Sequence, residues 1–266
     1  MTIAASAQIH ETAIVEPGAT VGDDAIVGPF CRVGPEVSLG PGVVLKSHVV
    51  VTGITSVGEK TEVFPFAVIG EIPQDLKFAG EATRLEIGAR NRIREGVTMN
   101  SGTEGGGGLT KVGDDNLFMT GAHVAHDAIV GSRVVVANQS AIAGHCQIGD
   151  DVVIGGLSGI HQFVRVGRGA IIGAVTMVTK DVIPYGLVQA SRGTLDGLNL
   201  VGLKRRGVDR SEITALRAAF QMLAQGDGAF QDRAVRLRDE TDSDHVREIT
   251  DFILAESDRH FLTPER

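Results

Sequence analysis

The chain has no tryptophan and a single tyrosine, and aromatic residues are only 4% of its 266 positions. Without rings to fill a wide interior, it suits a slim core of Val, Ile and Leu. There are two cysteines, Cys31 and Cys146, too few for a disulfide framework. They read as small buried hydrophobes of a protein kept in the reducing cytoplasm. No apolar run approaches the length of a membrane span, so no membrane insertion is expected. The opening MTIAASAQIH lacks the basic n-region and apolar stretch of a signal peptide. Cations are also scarce, with 25 Lys and Arg against 33 Asp and Glu, a net charge of −8. That balance argues against a nucleic-acid partner, and an anionic ligand would need a local basic patch.

What the chain has in excess is glycine, 35 residues, most of them at fixed places in a six-residue repeat. An aliphatic or aromatic residue opens each block: Ile9, Val15, Val21, Val27 and onward to Ile69, and again from Val112 and Phe118 to Val178. Four residues after each opener sits a small side chain, as in Ala13, Ala19, Cys31, Ala122, Cys146 and Ala170; Asn116 departs. Neither a helix nor simple strand alternation produces this period. A strict hexad marks a parallel β-helix, in which each coil buries its face only by stacking on the next. With three hexads per coil there are about nine coils, roughly 40 Å of strands stacked at about 4.8 Å. Glycines following openers, such as Gly22 and Gly28, suit corners that need positive φ or tight packing. The hexad alone does not fix the hand of the coil.

Two interruptions break the pattern, IPQDLKFAGEATR at 72–84 and SGTEGGGGLTK at 101–111. Breaks in a solenoid map to loops on one face, where function concentrates. The hexads end at Pro184, so residues 1–186 form the repeat domain and 187–266 a helical C-terminal domain. In the tail, Asp209 and Glu212 have the spacing of a capping box. Ile213, Leu216, Phe220 and Leu223 follow helical spacing, and Gly226 and Gly228 end that helix. A further helix is predicted from about Asp244 to Glu256. This tail would cap the last coil, which otherwise exposes strand edges.

Four histidines, His123, His126, His145 and His161, fall within the second hexad run. Residues 18 apart stack, so His126, Gly144 and Gln162 share a column with His145 and His161 beside it. The segments GAHVAHD (121–127), AGHCQIGDD (143–151), GIHQFVRVG (159–167), IPQDLKFAGEATRLEIG (72–88) and NLVGLKRRG (199–207) resemble the acyl-ACP:UDP-N-acetylglucosamine O-acyltransferases of lipid A biosynthesis. The resemblance runs from the first hexad into the tail. It implies a left-handed β-helix, a homotrimer with sites between subunits, and no cofactor. It also implies transfer of an (R)-3-hydroxyacyl chain from acyl carrier protein to the 3-OH of UDP-N-acetylglucosamine.

That chemistry gives the residues roles. A sugar hydroxyl is a poor nucleophile and needs a base titrating near neutrality, which suits histidine. The resemblance makes His126 the base, Asp127 the partner fixing its tautomer, and the N–H of Gly144 the donor to the oxyanion. His123, His145, His161 and Gln162 take substrate-contacting positions. Gln74, Asp75 and Lys77, on the first interruption, lie over sugar and acyl chain, with Asp75 near the acceptor. Asn199, Arg205 and Arg206 hold the nucleotide diphosphate, whose oxygens match arginine forks. Taken singly, each has a blander reading: a solvated histidine, a corner glycine, a polar loop, a basic run.

Two departures from the family pattern bear on specificity. Met99-Asn100-Ser101-Gly102-Thr103 stands where better-known members carry His-Arg before Gly-Thr, which leaves a 3-amino sugar open as an alternative acceptor. Gly173-Ala174 replaces a glycine pair that lets a long acyl chain pass, and the methyl of Ala174 predicts a shorter chain. Solenoid carbonic anhydrases hold zinc with three histidines, but the surrounding motifs match the acyltransferases, and no metal is expected. A non-catalytic trimeric scaffold is the remaining alternative.

Overall fold

The computed structural model describes residues 2–189, 193–257 and 260–263. Thr2–Ile3, Gln8–Ile9 and Ile14–Val15 form one turn of a three-sided coil, and Thr20–Val21 then lies parallel on Thr2–Ile3. Repetition gives three sheets, of nine, eleven and nine strands. Strands starting at Thr2, Gln8 and Ile14 belong to what we name the first, second and third sheets, which meet at three corners.

Openers and the small residues four later all point inward. Val27, Cys31 and Val33 are at most 1% exposed, as are Val124, Ala128, Val134 and Val136. Each buried Val or Ile contributes about 1.5–3 kcal/mol, but only where a neighbouring coil covers it. Both cysteines are buried and free, and burial pushes the Cys31 thiol above its usual pKa. Asn116, the residue that breaks the small-residue pattern, is buried in a polar ladder. Its backbone N–H donates to Asn91 Oδ1 at 2.9 Å, and its own Oδ1 accepts from Val134 N at 2.6 Å.

The corners separate the two reasons offered for glycine. Positive φ falls three residues after the opener and is carried by ordinary residues such as Asp24, Phe30, His48 and Lys60. Gly28, directly after its opener, has no positive φ; a Cβ there would lie 2.2 Å from the Lys46 carbonyl oxygen. Glycine at that position serves close packing between coils.

The two interruptions leave the prism at one corner. The first follows the third-sheet strand Val68–Glu71 and rejoins at the first-sheet strand Arg84–Ile87; the second runs from Thr98–Asn100 to Leu109–Val112. The pairings Thr55↔Leu85 and Leu85↔Thr110 show the usual offset of 18 residues lengthened to 30 and 25. The second interruption ends sooner than expected, since 109–111 are already strand. Its Glu104–Gly106 forms a short 3-10 turn.

The sheet also outlasts the hexads. Gly186–Gln189 pairs with Ile171–Ile172 and then antiparallel with Thr194–Leu198. The domain boundary set at 187 therefore falls within a strand. Helices follow: α1 (Leu200–Arg205), α2 (Arg210–Gln225), α3 (Phe230–Glu240) and α4 (Asp244–Leu254). The capping box expected at α2 does not form. The Asp209 side chain makes no cap bond, and Glu212 instead accepts from Ser243 Oγ at 2.6 Å and contacts His245 Nδ1 at 2.9 Å. The tail is tied to the prism by Asp181, which is fully buried. It accepts from Arg165 Nε at 2.7 Å and Ser257 Oγ at 3.0 Å. No helix among the described residues is long and apolar enough to cross a membrane.

Candidate active site

The corner from which both interruptions emerge, between third and first sheets, also carries His126. It follows the strand His123–Val124 and precedes Ile129–Val130. The predicted column exists. His145 N donates to the His126 carbonyl at 3.0 Å, and Phe163 N to the Gly144 carbonyl at 3.1 Å, so residues 126, 144 and 162 occupy equivalent places on successive coils. Beside it runs a second column of left-handed residues: Asp127 (φ 59°), His145 (φ 61°) and Phe163 (φ 65°). Asp and His tolerate that conformation better than most residues. It turns the Asp127 side chain back toward His126.

His126 and Asp127 are each 5% exposed. His126 Nδ1 lies 2.8 Å from Asp127 Oδ2. Adjacent residues can therefore form the pair, because the corner bends the backbone between them. With Nδ1 engaged by the carboxylate, Nε2 is the nitrogen left to exchange a proton. Asp127 is held by more than histidine. Its Oδ1 accepts from Thr103 N at 2.8 Å, its Oδ2 accepts from the Thr103 hydroxyl at 2.6 Å, and its own N–H donates to Thr110 Oγ1 at 2.7 Å.

Gly144 packs against the imidazole. A Cβ on it would lie 2.6 Å from His126 Cε1 and 2.8 Å from Nε2. The glycine is required by this approach, not by positive φ. Its N–H donates to no backbone carbonyl among the described residues.

The other histidines surround this pair. His145 stacks on Phe163 with ring centroids 4.4 Å apart and lies edge-on to His126 at 5.1 Å. Burial lowers its pKa, with nearby His126 acting the same way and Asp127 and Asp75 opposing. His123 contacts Thr98 Oγ1 through Nδ1 at 2.7 Å, and burial lowers its pKa as well. His161 lies one coil further on, its Nδ1 3.2 Å from the Gln162 carbonyl. Asp75 accepts from Lys77 N at 3.0 Å, and its influence on His145 places the first interruption within electrostatic reach of the corner. Gln74 and Lys77 are exposed on that loop. The ligating atoms of His126, Asp127 and His145 lie within 4.8 Å of one another. Thr103 donates to both carboxylate oxygens of that trio.

Other expected site residues are not brought together with His126 in one chain. Asn199 caps α1, accepting from Gly202 N at 3.0 Å and donating to the Gly169 carbonyl at 3.0 Å. Arg206 packs over Gly169, where a Cβ would lie 2.8 Å from its Nη2. Partial desolvation beside Gly169, with Arg168 and Arg133 close by, lowers the pKa of this still-exposed guanidinium against the pull of Asp151. Arg205 is exposed at the end of α1. Asp151 and Gly169 mark the corner between first and second sheets. Ala174, exposed, stands at the third corner, between second and third sheets. Asn100 and Ser101 are buried and clamp the first interruption. Asn100 Nδ2 donates to the Ile72 carbonyl at 2.8 Å, and Ser101 Oγ accepts from Thr83 Oγ1 at 3.2 Å. Thr103 lay in the stretch compared with the family and Phe163 in a family-like segment, neither assigned a role, and Thr110 carried no sequence signal. The 18-residue spacing from His145 could have flagged Phe163.

A cleft of about 680 Å³ lies between α4 and the prism, lined by Arg165, Arg168, Arg247 and Phe252 among others, and includes none of these histidines.

Comparison with known proteins places this geometry among relatives. Residues 181–262 match the family model "Udp N-acetylglucosamine O-acyltransferase; Domain 2", and residues 18–53 match the bacterial transferase hexapeptide repeat. A protein of Paracoccus denitrificans named acyl-[acyl-carrier-protein]--UDP-N-acetylglucosamine O-acyltransferase is 65% identical over 76% of this chain and 77% of its own. A Rhizobium johnstonii protein of the same name is 49% identical over 100% of this chain and 98% of its own. Among solved structures, a UDP-N-acetylglucosamine acyltransferase superposes with a TM-score of 0.92 at 40% identity, covering 97% of this chain and 99% of that one. The Acinetobacter baumannii LpxA structure gives 0.91 at 38% identity, covering 97% and 99%.

Proposed function

Because the chain belongs to the acyl-[acyl-carrier-protein]--UDP-N-acetylglucosamine O-acyltransferase family, we propose that the corner between its third and first sheets is the acyl-transfer site, with His126 as general base. The fold is the left-handed parallel β-helix of that family, closed by a helical tail. The enzyme moves an (R)-3-hydroxyacyl chain from acyl carrier protein to the 3-OH of UDP-N-acetylglucosamine, the first step of lipid A synthesis.

The observation that carries the site is the buried His126–Asp127 pair with the imidazole seated against Gly144. His126 Nε2 takes the proton of the sugar 3-OH as its oxygen attacks the thioester carbonyl carbon. The carbonyl oxygen becomes the oxyanion and accepts from the Gly144 N–H. Asp127 holds the tautomer and stabilises the imidazolium. Collapse of the intermediate breaks the C–S bond, and His126 returns the proton to the departing thiolate. His123, His145, His161, Gln162 and the loop residues Gln74, Asp75 and Lys77 line the path of sugar and acyl chain.

Asn199, Arg205 and Arg206 bind the nucleotide in this reading, yet they sit at a different corner of the chain. A second copy reconciles the two, supplying its nucleotide-binding corner to the His126 corner of its neighbour. Exposed apolar Leu157, Phe163, Val175 and Met177 on neighbouring coils support packing of copies side by side. The assembly is a homotrimer, which sedimentation would register as three chains per particle.

The testing experiment is mass spectrometry of the product formed from purified protein, carrier-bound 3-hydroxyacyl chains of several lengths, and UDP-N-acetylglucosamine beside its 3-amino analogue. Acylation of UDP-N-acetylglucosamine that disappears in His126→Ala is expected. Acylation that persists in His126→Ala overturns the assignment of the base.

A further inference from the structure

The glycine-rich interruption lies directly on the acidic partner of the base. From this we infer that Thr103 is a positioning residue for the acyl transfer, fixing the Asp127 carboxylate in the plane that serves His126. The inference rests on His126 and Asp127 acting as proposed above.

Three observations carry it. First, Thr103 binds both carboxylate oxygens, its N–H to Oδ1 at 2.8 Å and its hydroxyl to Oδ2 at 2.6 Å. Oδ2 is also the oxygen facing His126 Nδ1 at 2.8 Å. A carboxylate bound through both oxygens cannot rotate about its Cβ–Cγ bond, so the imidazole inherits a fixed orientation. Second, the loop is shaped to the carboxylate. A Cβ on Gly106 would lie 2.1 Å from Asp127 Cγ and 2.4 Å from each oxygen. Gly106 N donates back to Thr103 Oγ1 at 3.2 Å, which aims the hydroxyl proton at Asp127. Third, Asp127 is 5% exposed with this loop over it, so water cannot replace a lost donor cheaply.

Elsewhere on the prism corner carboxylates are held from neighbouring coils, as Asp150 is by Ser132 N and Arg133 Nη2. At Asp127 both oxygens are instead reached by Thr103, from the segment 101–108 that leaves the repeat. Of its glycines, Gly106 and Gly102 are the ones whose lack of a Cβ lets the backbone lie close to the buried anion, while a Cβ on Gly105 or Gly107 would meet nothing within 4 Å.

The charged and titratable groups facing the pair are His145, whose Nδ1 is 3.8 Å from Asp127 Oδ2, His123 on the preceding strand, and Asp75 on the first interruption. Thr103→Val leaves these in place and keeps the backbone N–H, so Oδ1 stays held while Oδ2 loses its hydroxyl donor and keeps His126 as its one hydrogen-bond partner. The negative charge then leans more on the imidazole, and the acid limb of the kcat/KM profile moves to higher pH.

The test is steady-state kinetics of wild type, Thr103→Val, Thr103→Ser and Gly106→Ala, with His126→Ala in parallel. Thr103→Val is expected to lower kcat by about tenfold to a hundredfold, with KM for UDP-N-acetylglucosamine unchanged and the acid limb displaced upward. Thr103→Ser restores kcat and limb together, and Gly106→Ala follows Thr103→Val. A Thr103→Val enzyme with wild-type kcat and limb overturns the inference while His126→Ala remains inactive. So does a kcat loss with the limb unmoved, or one that Thr103→Ser does not rescue. An active His126→Ala instead removes the reading beneath it.

Discussion

Replacing Gly144 with alanine tests the site at its tightest contact. The added Cβ would stand 2.6 Å from His126 Cε1 and 2.8 Å from Nε2. Carbon atoms rest at about 3.5–4.0 Å, so one of the two must retreat by about 1 Å. The backbone of Gly144 is fixed between coils, since its carbonyl accepts from Phe163 N at 3.1 Å and the next residue donates to the His126 carbonyl at 3.0 Å. The imidazole therefore moves, by rotation away from Asp127 or outward from the corner. A displacement of about 1 Å in a reacting group costs about a hundredfold in rate, or roughly 2.7 kcal/mol of barrier. The oxyanion donor suffers less, because alanine keeps the N–H. The expectation is a kcat about a hundredfold lower, a KM for UDP-N-acetylglucosamine within about threefold of wild type, and a normal melting transition. Gly156 provides the control. It holds the same hexad position two corners later, and a Cβ there would meet nothing nearer than the Asn138 carbonyl oxygen at 3.3 Å. Gly156→Ala should keep wild-type kcat. A Gly144→Ala enzyme with undiminished kcat would refute the assignment of His126 as a base seated on this glycine.

Three further outcomes follow from the same contacts. Ala174→Gly removes one methyl from an exposed corner, and a methylene is worth about 1–3 kcal/mol of discrimination, so relative turnover should move toward longer carrier-bound chains in a competition assay; an unchanged profile would remove Ala174 as a length determinant. Asp181→Ala strips the buried partner of Arg165, whose side chain is only 14% exposed. Urea denaturation should show a loss of about 3–5 kcal/mol, and a loss under about 1 kcal/mol would mean that the tail is held elsewhere. Burial holds His123 and His145 below the usual histidine value near 6.5, so the unfolded chain takes up protons first as pH falls. Their contribution to stability is full above about pH 6.5 and is lost as pH drops through the lowered folded values. Melting temperatures should decline below pH 6.5, and less steeply in His123→Gln; parallel declines would assign the effect to other groups.

The prism was legible because its code is redundant. Val27, Val33, Ile142 and Ile154 each repeat one instruction, so a lapse at Asn116 does not obscure the count of coils. The column of His126, Gly144 and Gln162 was legible for the same reason, since an 18-residue period converts sequence distance into adjacency. Where the repeat lapses, legibility falls. The strands Gly186–Gln189 and Thr194–Leu198 lack the hexad and were read as the start of the helical domain. Helix α3 escaped notice because its apolar stripe is short. Ala234 and Leu237 are buried, but the third buried residue of the helix is a charged one, Arg233, whose Nη1 donates to the Gly226 and Gly228 carbonyls at 2.7 and 2.9 Å. The capping box failed because Glu212 found Ser243 and His245, partners 31 and 33 residues away. Asn100 and Ser101 drew attention as departures near the acceptor, and the structure shows both bonded to the first interruption, with Asn100 Oδ1 buried and without a hydrogen-bond partner among the described residues.

A repeating scaffold also limits what a site can contain. Stacked corners offer columns of side chains at fixed spacing, which suits a base over a glycine or an imidazole over a phenyl ring. Convergence within the repeat needs residues at different hexad positions, as when His126 and His145 approach Asp127 Oδ2. The remaining contacts over this corner come from outside the repeat. Thr103 closes on Asp127 from the second interruption, and the charge of Asp75 on the first acts on His145. Both insertions enter on coils immediately preceding His126 and at the corner that bears it, so the added residues can fold only over that corner. Asn199 and Arg206 show the converse. They lie in the tail and pack on Gly169, at an edge the insertions do not reach, so on the proposed reading a nucleotide bound there meets His126 only across a boundary between chains. On that reading a single chain has incomplete sites by itself, and in a closed ring of copies each edge finds its complement. Dilution into monomers should therefore abolish turnover while leaving every coil intact, and a monomer active at the rate of the assembled protein would break that link.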